Sequence, residues 1–173
     1  MNNLNKVKKL IINKPLKLDC GKTISNFPLA YETYGELNEK KDNAILAFHA
    51  LTGDQFASGI NPITNKEGWW SYAVGPGKAI DTKKYFVICS NVIGGCMGSY
   101  GPSNINPKTN KSFGTEFPVI TINDMVNAQY HLLEFFKIKK LFSVVGGSMG
   151  GMQVLQFVSN FPNKSSTAIP IAC

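Results

Sequence analysis

Apolar positions along the chain fall into two patterns. Ala44–His49 (AILAFH), Tyr85–Ser90 (YFVICS) and Leu141–Val145 (LFSVV) are short, nearly unbroken apolar runs. Runs of this length suit strands buried on both faces. Phe27–Leu37 (FPLAYETYGEL) alternates as a half-buried strand does, and Gly35 marks a place for a bulge. Lys41-Asp42-Asn43 reads as a turn, and Ala168–Ala172 (AIPIA) opens a further strand. The second pattern is helical. From Thr121 to Phe136, residues Ile122, Met125, Val126, Leu132, Leu133 and Phe136 share one face, and Thr121 with Asp124 gives a Thr-x-x-Asp start signal. That stripe is core packing. Gly150–Asn160 reads as a second helix, which stops before Pro162.

Between these elements lie two loops. Leu51 to about Gly68 is polar and contains Gly. Asn91–Pro107 (NVIGGCMGSYGPSNINP) is so punctuated by Gly and Pro that no helix or strand is expected to persist in it. A loop of that length in a compact domain is usually functional or disordered, and its Tyr, Met and Cys content argues against disorder. Strand, helix, strand, helix and strand in succession predict right-handed crossovers and a parallel sheet covered on both faces. The fold class is therefore α/β, with an antiparallel hairpin at the start.

Composition narrows the rest. The 173 residues contain no linker or repeat, and one domain spans residues 1–173. Apolar residues make up 43% and charged residues 17%, enough for a core and unlike a disordered chain. No run of about 18 apolar residues offers a membrane span. The start, MNNLNKVKKLIINK, has no apolar stretch or cleavage site of a secretory signal. The net charge of +7 comes from Lys alone, without Arg, in scattered short clusters such as Lys6/Lys8/Lys9 and Lys137/Lys139/Lys140. This reads as a solvated surface, with steering of an anionic substrate as the alternative, rather than as a nucleic-acid grip, which favours Arg forks and a basic stripe. Cys20, Cys89, Cys96 and Cys173 form no CxxC pair, so a reduced, cytoplasmic setting is expected. Two histidines without metal-ligand spacing give no metal site.

Gly146-Gly147-Ser148-Met149-Gly150 fits G-x-S-x-G, with a strand pattern entering and a helix pattern leaving. On such a turn a serine hydroxyl is exposed at the start of a helix whose free N–H groups point at it. The other readings are a plain tight turn or a glycine-rich phosphate loop. The phosphate-loop pattern fails because no Gly-Lys-Ser/Thr follows, and the spacing of G-x-G-x-x-G is not met. An acyl-transfer serine also needs two oxyanion donors. These are placed at the N–H of Met149 and, in the loop after AILAFH, at the N–H of Leu51. A base is missing: no Asp, Glu or His follows Ser148. His49 and His131 lie upstream, His49 as a structural or pocket residue and His131 as a surface or packing residue. The chain stops within an apolar strand, so the base is expected in sequence beyond Cys173, and these residues alone are expected to be poorly soluble and nearly inactive.

Several segments together resemble homoserine O-acetyltransferase, a family of α/β-hydrolase type. They are FHALTGD (Phe48–Asp54), GWW (Gly68–Trp70), VGPGKAIDT (Val74–Thr82), YFVICSNVIGGCMGSYGPSNINP (Tyr85–Pro107), FPVITINDMV (Phe117–Val126), GGSMGGMQ (Gly146–Gln153) and AIPIA. The resemblance implies a mostly parallel sheet flanked by helices, here lacking the lid and final strands. It implies that Ser148 takes an acetyl group from acetyl-CoA and passes it to the L-homoserine hydroxyl, in methionine biosynthesis. It places the Leu51 and Met149 N–H groups on the oxyanion, the Asn91–Pro107 loop near the active-site tunnel, and the triad Asp and His in the absent half. It also implies a cytoplasmic homodimer with no resident cofactor, acetyl-CoA being a co-substrate. Asn123 stands where relatives often carry Arg, and Phe56 where a His is common. A succinyl donor, or water as acceptor in an esterase or thioesterase, is the alternative; a non-enzymatic binding module is a further one.

Overall fold

A computed structural model describes residues 7–173. Lys6 of the first basic cluster and the first six residues of the stretch read for a secretory signal lie outside the described residues. The main strands are β1 (Lys9–Ile12), β2 (Phe27–Tyr34), β3 (Ala44–Phe48), β4 (Phe86–Ser90), β5 (Leu141–Gly147) and β6 (Ser165–Ile171), and the helices are α1 (Ile122–Phe136) and α2 (Met149–Asn160). The six strands form one sheet in the order β1-β2-β4-β3-β5-β6. β3 runs parallel to both β4 and β5, and β5 parallel to β6. β1–β2 and β2–β4 are antiparallel.

The expected antiparallel hairpin is corrected by this order. β2 and β3 follow each other in sequence but are not neighbours, because β4 lies between them. The reason is burial. Every residue of β3 and of β4 is buried, so both must be interior strands, and the half-wet β2 is pushed outward. The antiparallel partner on the other side of β2 is β1. Gly35 is no bulge either. It follows the end of β2 at φ 74°, and a Cβ there would lie 2.3 Å from the Tyr85 carbonyl oxygen. Close backbone approach is what requires glycine.

Alternation along β3 and its neighbours sorts the core into two layers. Leu46, Phe48, Ile88 and Val144 face one side, where they meet Val126, Leu132 and Leu133 of α1 and Val154 and Phe157 of α2. Ile45, Ala47, Val87, Cys89 and Val145 face the other, against Val74, Trp69 and Trp70. Burying one such aliphatic side chain contributes about 1.5–3 kcal/mol. The GWW segment is thus part of the core cover on the face opposite the helices.

α1 begins where the start signal places it. Thr121 accepts from the Asp124 N–H at 3.2 Å, and the Asp124 carboxylate accepts from the Thr121 N–H at 3.0 Å. β6 begins three residues before the expected Ala168, and every residue from Ser166 to Ile171 is exposed. The Gly/Pro loop does hold a short strand. Ile105–Asn106 pairs with Lys111–Ser112, just beyond the loop's expected end. Among the described residues no helix is long and apolar enough to cross a membrane.

Candidate active site

Ser148 stands where β5 ends and α2 begins, and its neighbours make that position possible. A Cβ on Gly150 would lie 2.2 Å from the Phe48 carbonyl oxygen. One on Gly146 would lie 2.5 Å from the Gly150 carbonyl oxygen and 2.8 Å from that of Phe48. Neither position can hold a side chain without driving β3, β5 and α2 apart. The glycines two before and two after the serine therefore bring the end of β3 against the start of α2.

Ser148 is the N-cap of α2, at φ 54° and ψ −124°. That backbone region costs a non-glycine residue about 1–3 kcal/mol and persists only where the surroundings enforce it. Here the Ser148 N–H donates to the Ile171 carbonyl at 2.9 Å, and its own carbonyl accepts the Met152 N–H at 3.1 Å. The side chain is exposed and makes no capping bond. The next N–H, of Met149, donates to no carbonyl among the described residues, and neither does the Leu51 N–H.

Leu51 and Met149 both line a cleft of about 560 Å³, so the structure brings the two expected donor residues to one place. Val92 to Cys96, from the Gly/Pro loop, and Phe117, Pro118 and Ile120 supply much of the remaining wall. A larger cavity of about 690 Å³, between Lys22–Ser25 and Asn106–Lys108, contains neither donor residue and shares only Pro118 with the cleft.

Neither histidine is free to act as a base on Ser148. His49 is 1% exposed. Its Nε2 accepts the Val92 N–H at 3.2 Å and faces the Asn91 amide at 3.4 Å. With Nε2 accepting, the ring proton belongs on Nδ1, which donates to the Ala50 carbonyl at 2.7 Å. Burial holds the His49 pKa below the ordinary 6.5, so the ring is neutral. His131 lies on α1, where Nδ1 meets Glu134 at 2.8 Å, and it lines a hollow beside β1 that shares no residue with the cleft.

Three neighbours of the site were not singled out in the sequence. Asn91 is buried at the tip of β4, and its Oδ1 accepts the Met97 N–H at 3.1 Å. Asp54 organises the loop after Leu51, accepting from the Phe56 N–H at 2.8 Å and the Asn61 amide at 2.9 Å. Partial burial raises the Asp54 pKa. Gln153, on the first turns of α2, donates to the His49 carbonyl at 3.3 Å. A polar residue directly after an apolar strand, as Asn91 is, was the signal available. Asn123 bonds Asp19 at 2.8 Å and accepts from Asn160, while Phe56 is buried in a small cluster with Val7 and Ala30. All four cysteines are free thiols, Cys89 buried and the others exposed. Among the described residues no three His, Cys, Asp or Glu side chains gather as a metal site.

The family model for the alpha/beta hydrolase fold matches residues 43–169, which span β3 to β6. The chain belongs to that family. It is 80% identical over 167 residues to a homoserine O-acetyltransferase of Pelagibacter ubique (strain HTCC1062), covering 96% of this chain and 45% of that protein. Among solved structures, a homoserine O-acetyltransferase from Bacillus anthracis superposes with a TM-score of 0.85 at 34% identity, over 93% of this chain and 44% of that one. Esterase E22 superposes with a TM-score of 0.82 at 37% identity, over 92% of this chain and 44% of that one. The chain spans less than half the length of each of these relatives.

Proposed function

We propose that these residues form the N-terminal part of a single α/β-hydrolase domain and supply the nucleophile and oxyanion donors of an acyltransferase. The whole protein moves an acetyl group from acetyl-CoA to the side-chain hydroxyl of L-homoserine, a step towards methionine. Ser148 Oγ attacks the thioester carbonyl, and the oxygen of the tetrahedral intermediate is held by the Leu51 and Met149 N–H groups. Collapse breaks the C–S bond and releases CoA as its thiol, leaving an acetyl-serine. The homoserine hydroxyl then attacks the acetyl carbonyl, loses its proton, and Ser148 is regenerated. Each oxyanion donor contributes about 3 kcal/mol of transition-state stabilisation.

One observation carries this reading: an exposed serine hydroxyl at positive φ, next to an N–H with no main-chain partner, at the start of a helix. The choice of substrates rests on the likeness to homoserine O-acetyltransferases. Because His49 is buried and fully bonded and His131 lies in a separate hollow beside β1, the base that takes the Ser148 proton is assigned to residues outside these 173. A reduced cytoplasmic location and a homodimer belong to the same proposal.

The likeness to an esterase favours a second reading, with water in place of homoserine. Incubating the full-length protein with labelled acetyl-CoA tests both. Label on Ser148 that chases into O-acetylhomoserine is expected. Label lost only as acetate makes the protein a hydrolase, and preferential labelling from succinyl-CoA changes the donor. If Ser148→Ala remains fully active, the proposal falls.

A further inference from the structure

The buried ring of His49 does no chemistry in the proposed reaction, yet it is bonded on every polar side. Its Nδ1–H reaches the carbonyl of Ala50, and that carbonyl belongs to the peptide unit whose N–H is the Leu51 donor. In a trans peptide the C=O and N–H point in opposite directions within one plane. Whatever holds the Ala50 oxygen therefore aims the Leu51 N–H. Two groups hold it: His49 Nδ1 at 2.7 Å, and the Gly53 N–H at 2.9 Å, which closes the Ala50–Gly53 turn.

These two holds differ in durability. The turn bond sits on the surface, with Leu51 76% exposed and Thr52 exposed beside it, where main-chain bonds open easily. The His49 bond comes from a ring 1% exposed and fixed at its far side by the Val92 N–H. The next peptide back is also fixed, because Gln153 of α2 donates to the His49 carbonyl. Gly53 packs against the root of this side chain; a Cβ there would lie 2.9 Å from His49 Cβ and 3.4 Å from its Cγ.

We propose that His49 is a positioning residue: its Nδ1–H, by holding the Ala50 carbonyl, fixes the Ala50–Leu51 peptide with the Leu51 N–H facing the reacting acyl oxygen. This rests on the acyl-serine reading above. Two substitutions separate the ring's two bonds. In His49→Asn the amide nitrogen falls near the Nδ1 place and keeps the donor to Ala50. In His49→Gln the amide falls near the Nε2 place, and the donor to Ala50 is lost.

Both variants are made in the full-length protein, together with Ser148→Ala. Single-turnover acylation by p-nitrophenyl acetate is followed by nitrophenolate release, with active sites counted from the burst. His49→Gln is expected to lower the acylation rate per active site about 100-fold, as loss of an oxyanion donor does. KM should stay within about twofold, since the contact strengthens only in the transition state. His49→Asn is expected to keep at least about a tenth of the rate on the same reasoning. Equal losses in the two variants, or a loss confined to burst amplitude or KM, would overturn the proposal. Ser148→Ala should give no burst. A wild-type burst there removes the acyl-serine reading itself, whereas a lost burst beside a normal rate in His49→Gln removes only the positioning role.

Discussion

The two long helices of this chain begin in opposite ways. α1 starts from Thr121 in an extended conformation at φ −99°, with a reciprocal pair of bonds to Asp124 closing its first turn. α2 starts from Ser148 at φ 54°, with no side-chain bond to its first turn and no acidic residue there. The first start satisfies its N–H groups at home and gains stability. The second leaves its hydroxyl and its leading N–H unspent and is held in place by neighbours instead. The same residue class, a small hydroxyl side chain, closes one helix and is offered to solvent by the other. Helix starts thus show whether a serine or threonine serves the fold or the chemistry.

The sharpest way to break this comparison is at Ser148. Ser148→Ala should lower acyl transfer by the full-length protein by at least about 10⁴-fold, as loss of a nucleophile does. Ser148→Gly should lose activity as deeply, yet raise stability by about 1 kcal/mol in urea unfolding, because glycine relieves the positive φ. A Gly variant no more stable than wild type would mean that the serine backbone is not strained.

The second start is also held by close approach, which gives an intermediate effect. Gly150→Ala should cost about 1–3 kcal/mol of unfolding free energy, since the added methyl overlaps the Phe48 carbonyl. Gly147→Ala is the contrast: a Cβ there meets nothing nearer than the Ile171 oxygen at 3.9 Å, so its stability should stay within about 0.5 kcal/mol of wild type. At the first start, Thr121→Ala should cost about 1 kcal/mol by the same measurement and leave acylation of Ser148 unchanged.

The smallest effect is a pH dependence at α1. Bonds from the Thr121 hydroxyl and then the Asn123 amide hold the Asp19 carboxyl below the ordinary 3.8. Asp19 thus ionises more readily folded than unfolded. Its contribution is full above 3.8 and is lost as pH falls through the folded value. The wild-type melting temperature should therefore drop more steeply below that pH than the Asp19→Asn melting temperature. Identical slopes would show that these bonds do not discriminate between the two states.

Much of this contrast could be read in the sequence, for local reasons. Thr121, Asp124 and the apolar stripe behind them are contiguous signals, and so is G-x-S-x-G between a strand and a helix pattern. Strand order was not legible. β2 and β3 look like partners in sequence, and only the burial of β4 on both faces forces it between them. The network around His49 was hidden for a related reason. Asn91, Val92 and Gln153 lie far from His49 in sequence, and no periodicity marks a side chain that bonds a distant backbone. The donor at Leu51 was placed from its loop, but the group that aims it emerged only in three dimensions.

The exposed β6 has a practical consequence. Ile169 and Ile171 stand 49% and 43% exposed beside Phe142 at 40%, and they border an apolar hollow of about 340 Å³. Anyone purifying these residues by themselves holds a preparation with an adhesive flank. Sulfate precipitation strengthens such adhesion, whereas chilling weakens it. Dilute, cold, low-salt handling is the regime in which single molecules should outlast clumps.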